Sequence, residues 1–285
     1  MKSIYKIPVI FNLIHGWVHP TCILIILVSL FSTSVQSQTL VNQLWQIELN
    51  YPDTVTWSAS VLSSSNLITT GNTFNSIAQK TNIVTTKTDQ NGSVVWQTEY
   101  NGAESEFDYG AAVTVDGSGN VFVTGASHSS DSYTFDVVII KYNSSGEQQW
   151  ATTFDGTGSN NDIPSDILLI DSDIYVCAAS IGTSTNYDYL LLKLNSSGAV
   201  QWNKRYDYTS LFDIPGHLAT NGIDVVVSGA SQSSATNWDY TSLKYNSSGT
   251  LLNTKRTAAA GYGFDRPTGL VVDATDNFYI TGYTF

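Results

Sequence analysis

The sequence predicts an all-β fold built from one repeated unit, and three observations support this prediction. A phrase of the form Lys-x-Asn-Ser-Ser-Gly-x-x-x-Trp recurs at intervals of 51 to 54 residues. Between the phrases, short apolar runs alternate with polar residues, which is the pattern of half-buried strands. The best-preserved copy shows no apolar period of a helix. Self-similarity at a fixed interval of this length is typical of a structural unit copied along a chain.

The repeated phrase occurs four times, and the last copy has lost its tryptophan. The copies are KTDQNGSVVW at Lys87–Trp96, KYNSSGEQQW at Lys141–Trp150, KLNSSGAVQW at Lys193–Trp202 and KYNSSGTLLN at Lys244–Asn253. Other positions recur in register, namely a glycine at Gly71, Gly125, Gly229 and Gly282 (Ala179 in one copy) and a polar residue at Asn82, Asp136, Asp188 and Asp239. We therefore expect about four and a half units between residues 38 and 285, beginning near Trp45, Trp96, Trp150, Trp202 and Asn253.

The copy that contains Trp150 predicts four short strands joined by tight turns. The expected strands are Asp108–Asp116, Val121–Ser127, Phe135–Tyr142 and Glu147–Phe154, with turns at Gly117–Asn120 and Asn143–Gly146 and a loop at His128–Thr134. Asn and Gly favour such turns because they adopt positive φ at low cost. Four strands connected in this way form one antiparallel sheet.

Four-stranded units of this length suit the blades of a β-propeller, in which neighbouring sheets stack around an axis. A sandwich would not explain why glycine, lysine and tryptophan recur in register, and a solenoid has a shorter repeat. We expect each tryptophan to fill the space between two blades. The chain stops at Phe285, after the second strand of its last unit. The sequence therefore predicts an incomplete or open propeller, and a fragment of a longer protein.

Residues 1–37 have the features of a secretion signal. Lys2 and Lys6 supply a positive start, Ile23–Phe31 is an apolar run, and Val35-Gln36-Ser37 offers a cleavage site. Such a segment is removed after export. The nine-residue apolar run is too short to span a bilayer. The prediction is a secreted or cell-surface protein without membrane insertion after cleavage.

The acidic composition excludes one class of partner. Residues 38–285 carry 10 basic and 24 acidic side chains, a net charge of −14. This surface repels phosphate backbones, so no nucleic-acid partner is expected. Cations and neutral glycans remain compatible with it. After removal of Cys22, Cys177 is the one cysteine left, and its apolar neighbours indicate a buried residue.

The repeat resembles the bacterial β-propeller repeat family called SBBP. The resemblance rests on Asp136, Lys141, Gly146 and Trp150, and on Asp116, Gly119, Asn120 and Gly125. Departures occur at Asn253, Ala179 and Asn82. The resemblance implies a propeller fold and a bacterial exported or cell-surface protein. It implies no common catalytic activity.

Two groups of residues are candidate ligand-binding sites. Asp108, Asp162, Asp213 and Asp265 each precede the first strand of a unit, and in a radial array they would form a ring able to hold cations or glycan hydroxyls. The alternative is that each carboxylate accepts hydrogen bonds from its local turn. Tyr133, Tyr187 and Trp238 lie in or beside the variable loops Ser129–Thr134, Ser184–Tyr187 and Ser233–Trp238. They could stack on sugars or pack between blades.

We predict a binding or structural module for an unidentified glycan or protein ligand, with no cofactor. Calcium is kept as an alternative at Asp116–Asn120, Asp171–Asp173 and Asp273–Asn277, although none of these turns has the ligand set of an EF-hand. An enzyme remains the alternative, as a polysaccharide lyase or hydrolase on a propeller scaffold. A quinone-dependent oxidoreductase is less favoured, although Gly-x-x-x-Trp is similar to quinoprotein propellers. Each Asp and the Lys five residues later lie on opposite faces of a strand, so they should not act as one pair.

Overall fold

The computed structural model describes residues 54–75, 79–129, 134–183, 186–258, 263–273 and 275–284, together with the backbone of two short strands, β1 (Cys22–Leu24) and β2 (Ile47–Leu49). These two strands pair with each other. Trp45 and Tyr133 lie outside the described residues. Within the described ranges every regular element is a strand, and there is no helix long and apolar enough to cross a membrane.

The strands form four complete blades and half of a fifth, and the predicted all-β fold of four-stranded antiparallel sheets is confirmed. Blade 1 contains β3 (Thr54–Ser63), β4 (Asn66–Asn75), β5 (Lys80–Thr88) and β6 (Val94–Tyr100). Blade 2 contains β7 (Asp108–Val115), β8 (Val121–His128), β9 (Phe135–Tyr142) and β10 (Gln148–Phe154). Blade 3 contains β11 (Asp162–Ile170), β12 (Asp173–Ile181), β13 (Tyr187–Leu194) and β14 (Val200–Tyr206). Blade 4 contains β15 (Asp213–Thr220), β16 (Val225–Ser234), β17 (Asn237–Tyr245) and β18 (Leu251–Thr257), and the half-blade contains β19 (Arg266–Val272) and β20 (Phe278–Tyr283).

The first strand of each blade is the inner one. In every blade the strands pair in chain order, so the first and fourth strands form the two edges. The first strands β3, β7, β11, β15 and β19 contact one another along the series. Each carries a register shift at the same place, and Pro164 and Pro215 sit at it in blades 3 and 4. Proline is tolerated there because an edge strand with a bulge does not need every N–H for the sheet.

The hydrophobic core lies between the blades. Side chains alternate across each sheet, so that Val138 and Ile140 of β9 pack toward blade 1, while Val137 and Ile139 pack toward blade 3. A third interface of the same kind joins blades 3 and 4. Trp96, Trp150 and Trp202 each pack on one of these three clusters. The predicted place of the tryptophans between neighbouring blades is therefore confirmed.

The described sheets stack in series without closing into a ring. This agrees with the predicted incomplete or open propeller. Neighbouring strands of a blade run in opposite directions, so the first and third strands begin at one end of the blade and the second and fourth begin at the other. We call the end where first and third strands begin the aspartate end, and the end with the Asn-Ser-Ser-Gly turns the turn end.

Candidate functional site

At the turn end, the repeated tryptophan of blades 1, 2 and 3 bonds to the next blade, and in blades 1 and 3 the repeated lysine bonds to the same carbonyl. The indole nitrogen of Trp96 and the ammonium of Lys87, both in blade 1, donate to the carbonyl of Ser144 in blade 2, at 3.1 and 3.2 Å. The indole of Trp150 donates in the same way to the carbonyl of Ser196 in blade 3, at 3.3 Å. Trp202 and Lys193 share the carbonyl of Ser247, at 3.1 and 2.9 Å. These two repeated residues are therefore docking residues.

The Asn-Ser-Ser-Gly turn is shaped to receive that tryptophan. The Asn143 side chain closes the turn by accepting hydrogen bonds from the amides of Ser145 and Glu147, both at 3.0 Å. Gly146 has a φ of +86°, and a Cβ at this position would lie 2.7 Å from the Trp96 ring. Positive φ and the ring contact both require glycine here. The phrase that recurs along the sequence thus encodes contact between blades.

At the aspartate end, the first-strand aspartates hold the loop that enters each blade. Asp108 accepts from the amide of Gly102 at 2.8 Å, Asp162 from that of Gly156 at 2.6 Å, and Asp213 from that of Tyr208 at 2.8 Å. These three carboxylates and Asp265 are buried. The hydrogen bonds to the preceding loop agree with the structural alternative for this group. Ligand binding by the four aspartates stays a prediction.

Burial makes these carboxylates unusual acids. Desolvation raises the pKa of Asp108 and of Asp162 above the ordinary range. The pKa of Asp213 rises to about 6, first because the carboxyl is buried and also because the carboxylates of Asp188 and Asp207 lie nearby. Each of these buried carboxyl groups therefore binds a proton, or another cation, more readily than an exposed aspartate does.

The third-strand aspartates have arginine partners in two blades. Asp188 accepts from Arg205 Nε at 2.7 Å, and Asp239 accepts from Arg256 Nε at 2.8 Å. Lys193, on the same strand as Asp188, instead pairs with Asp173 Oδ2 at 2.7 Å. This confirms that the Asp and Lys of one strand do not act together.

Among the residues that the structure describes, two groups of three aspartates form at the aspartate end. One group is Asp136, Asp155 and Asp162, between blades 2 and 3, and the other is Asp188, Asp207 and Asp213, between blades 3 and 4. In each group, one carboxylate oxygen per residue lies within 4.8 Å of the others. The sequence analysis missed Asp155 and Asp207. Their signal is that each directly follows a fourth strand, 19 residues after the third-strand aspartate.

The aspartate end also carries a row of aromatic rings. Tyr187 packs on Phe212 with ring centroids 6.4 Å apart, Phe212 on Trp238 at 6.1 Å, and Trp238 on Phe264 at 5.2 Å. Three of the rings are half-buried, and Phe264 is 36% exposed. We call these four residues the aromatic row. It runs across blade boundaries from blade 3 to the half-blade.

The aromatic row contains two of the three aromatic residues singled out in the sequence. Tyr187 and Trp238 pack between blades and also keep exposed surface. Phe212 and Phe264 were missed, although each directly precedes a first-strand aspartate. In blade 2 the residue directly before the first-strand aspartate is Phe107, which stacks on Tyr109 at 6.5 Å. Phe135 there holds the position of Tyr187 and Trp238, and it packs on Tyr109 at 5.5 Å.

Two of the three loops named for calcium, Asp116–Asn120 and Asp273–Asn277, are closed by their own hydrogen bonds. Asp116 Oδ1 accepts from the amides of Ser118 and Asn120, both at 2.9 Å. Asp273 Oδ1 accepts from the amides of Thr275 and Asn277 at the same distance. This is the arrangement of an Asx turn, which needs no metal. Calcium at these turns stays a prediction.

Comparison with known proteins gives the fold and no more. No protein family model and no curated protein sequence matches the chain. Among solved structures, an apocarotenoid oxygenase from Synechocystis is similar with a TM-score of 0.50 and 10% identity, over 83% of this chain and 57% of that protein. A subtype N11 neuraminidase-like protein (H18N11, flat-faced bat, Peru) gives a TM-score of 0.46 and 16% identity over 74% of this chain, which spans 53% of that protein.

A third similar structure is a β-propeller domain with an open velcro topology, from the trilobed protease of Pyrococcus furiosus. It gives a TM-score of 0.40 and 8% identity, over 80% of this chain and 78% of that one. The chain has a β-propeller fold. The propeller spans about half the length of the first of these relatives, and identities this low transfer no activity to it.

Proposed function

We propose that this propeller is a glycan-binding module of an exported or cell-surface protein, and that the ligand binds along the aromatic row. The observation that carries the proposal is the continuous set of four half-buried or exposed rings at 5.2 to 6.4 Å spacing. The row lies at one end of three successive blades. A ligand there would contact several repeats at once.

The chemistry of the row suits a neutral saccharide. Aromatic rings present flat apolar surface at a low cost in side-chain entropy, and they can cover the C–H faces of sugar rings. Carboxylates and backbone carbonyls at the same end can accept hydrogen bonds from hydroxyl groups. The net charge of the chain, −12, disfavours polyanionic ligands.

The enzyme alternative is less well supported by the described residues. Glycoside hydrolysis needs two carboxyl groups about 5 to 9.5 Å apart on either side of a bound sugar. In each group of three aspartates two of the carboxylates are buried, so a sugar would not reach between them. Asp213 has a raised pKa but a fully buried side chain, so a substrate would not reach it.

We further propose that the repeat belongs to the SBBP type and that residues 1–37 direct export from a bacterial cell. Support comes from the repeated Asn, Gly and Trp, each of which has the same structural role in successive blades. Cleavage before Gln38 would be measured by N-terminal sequencing of the mature protein.

A glycan array followed by titration tests the proposed binding site. We expect the purified protein to retain neutral oligosaccharides. Phe264→Ala should weaken the affinity about five- to thirtyfold, because one stacked ring contributes on the order of 1–2 kcal/mol. Tyr279→Ala is the matched control, since Tyr279 is an exposed aromatic residue of β20 outside the row. Retention of no neutral glycan, or equal affinities for Phe264→Ala and wild type, would contradict the proposal.

A further inference from the structure

We propose a divalent-cation site, suited to Ca²⁺, between blades 2 and 3. Its protein ligands are the carboxylates of Asp136, Asp155 and Asp162. Asp136 lies at the start of β9, Asp155 directly follows β10, and Asp162 begins β11. The three residues therefore come from three chain segments and two blades. An ion bound there would join the blades at the aspartate end.

The spacing of the oxygens fits one calcium ion. Ca²⁺ binds oxygen ligands at about 2.3–2.6 Å, so two oxygens on one ion are at most about 5 Å apart. One carboxylate oxygen from each aspartate lies within 4.8 Å of the other two. Three carboxylates supply up to six oxygens, which approaches the coordination number that Ca²⁺ prefers. Water can complete the shell, because Asp155 is exposed.

A buried oxygen without a partner is the second observation. Asp162 is 1% exposed, and its Oδ2 accepts from the amide of Gly156, but its Oδ1 is buried and accepts no hydrogen bond. The nearby Ser180 hydroxyl forms no hydrogen bond of ordinary geometry with this oxygen. A buried carboxylate oxygen left in this state is costly, and a bound cation would satisfy it.

The interface between blades 1 and 2 provides an internal comparison. There Asn82 and Asn101 occupy the positions of Asp136 and Asp155, so that Asp108 is the one acid of the three. Asp108 Oδ1 accepts from the Ser127 hydroxyl at 2.5 Å. Where the other two acids are absent, the corresponding oxygen is thus satisfied within the protein.

The aspartate group between blades 2 and 3 differs from the one between blades 3 and 4 in the positive charge that lies beside it. Asp188 of that second group is bound to Arg205, whose guanidinium neutralises it. At the corresponding position of blade 2 the residue is Thr153, which carries no charge. Arg205 also donates to the Ser180 hydroxyl, at 2.8 Å, but no hydrogen bond joins it to a carboxylate of the group between blades 2 and 3 among the bonds that the described residues show. The carboxylates between blades 2 and 3 therefore have less positive charge beside them, and a bound cation would stabilise them more than those between blades 3 and 4.

Thermal unfolding with calcium and with EDTA tests the site. Because Ca²⁺ would bind the folded protein and not the unfolded chain, we expect millimolar CaCl₂ to raise Tm by about 3 °C or more. Asp155→Asn removes one ligand at an exposed position and should abolish the rise. Asp207→Asn is the matched control in the second group and should keep it.

Calorimetric titration with CaCl₂ should then count one site in the wild type and in Asp207→Asn, and none in Asp155→Asn. The proposal is overturned by a wild-type Tm that calcium does not change, or by a calcium response that Asp155→Asn retains in full. It is also overturned if Asp155→Asn and Asp207→Asn lose the response equally, because the assignment to blades 2 and 3 would then fail.

Discussion

Gly198 shows why a residue repeated in every blade can be needed for packing. Its φ is +84°, and a Cβ at this position would lie 2.9 Å from the ring of Trp150, which belongs to the preceding blade. Gly146 and Gly249 meet Trp96 and Trp202 in the same way. These repeated glycines are therefore needed for the contact between neighbouring sheets. Asp213 is a further case, in which burial changes the chemistry of a repeated side chain.

The raised pKa of Asp213 predicts a specific pH dependence of stability. Its folded pKa of about 6 exceeds the ordinary 3.8, so the folded state binds the proton more tightly than the unfolded chain does. The stability that this group contributes is fully present below about pH 4 and is lost as the pH rises through about 6. In EDTA, we expect the Tm of the wild type relative to Asp213→Asn to fall between pH 4 and pH 7.

Glu104→Gln, which changes an exposed carboxyl group, serves as the control and should follow the wild type. Parallel Tm curves for the wild type and Asp213→Asn over this pH range would show that the carboxyl of Asp213 does not have the raised pKa.

Within blade 3, hydrogen bonds of one arginine connect three strands. Arg205 of β14 donates to Asp188 of β13 at 2.7 Å, and to the hydroxyl and carbonyl of Ser180 of β12 at 2.8 and 2.6 Å. The Asp188 side chain is fully buried, whereas that of Arg205 is 24% exposed. Arg256, Asp239 and the carbonyl of Ser231 repeat part of this arrangement in blade 4. The outer strands of these blades are thus held by an ion pair as well as by the sheet.

Removal of the arginine should leave a buried carboxylate without its cation. We expect Arg205→Gln to lower the free energy of unfolding by about 3 kcal/mol, measured by urea denaturation. The double variant Asp188→Asn/Arg205→Gln should recover at least about half of that loss, because no buried charge remains. A double variant as unstable as the single one would show that the loss comes from packing of the arginine.

Across the whole propeller, the sequence predicts what is local and misses what depends on stacking. The strands and turns of blade 2 follow from alternating apolar residues and from turns such as Asn143–Gly146, whose preferences act within a few residues. The meeting of Trp150 with the carbonyl of Ser196 joins positions 46 residues apart in different sheets. The period predicts that tryptophans lie between blades, but the partner depends on the rotation from one blade to the next.

In the candidate site too, the sequence predicts some of the residues but not the neighbours that packing brings to them. Tyr187 and Trp238 could be found as aromatic residues in variable loops, but their neighbours Phe212 and Phe264 enter the row from other loops. Asp155 joins Asp136 and Asp162 only when two blades are packed together. Such groupings come from the packing of blades, which no short sequence pattern encodes.

A double-mutant cycle between Trp150 and Gly198 tests the stacking of blades most directly. We expect Trp150→Ala to cost about 3 kcal/mol, and Gly198→Ala to cost about 2 kcal/mol by positive φ and ring contact. Once the ring is removed, the part of the Gly198→Ala cost that comes from the ring disappears, whereas the contact with Thr152 Oγ1 at 2.9 Å stays. This predicts a coupling of about 1 kcal/mol. Gly222→Ala, with a φ of +93° and no atom within 4 Å of its Cβ, should be additive with Trp150→Ala. Additivity of Trp150→Ala and Gly198→Ala within about 0.5 kcal/mol would contradict the docking of one blade on the next.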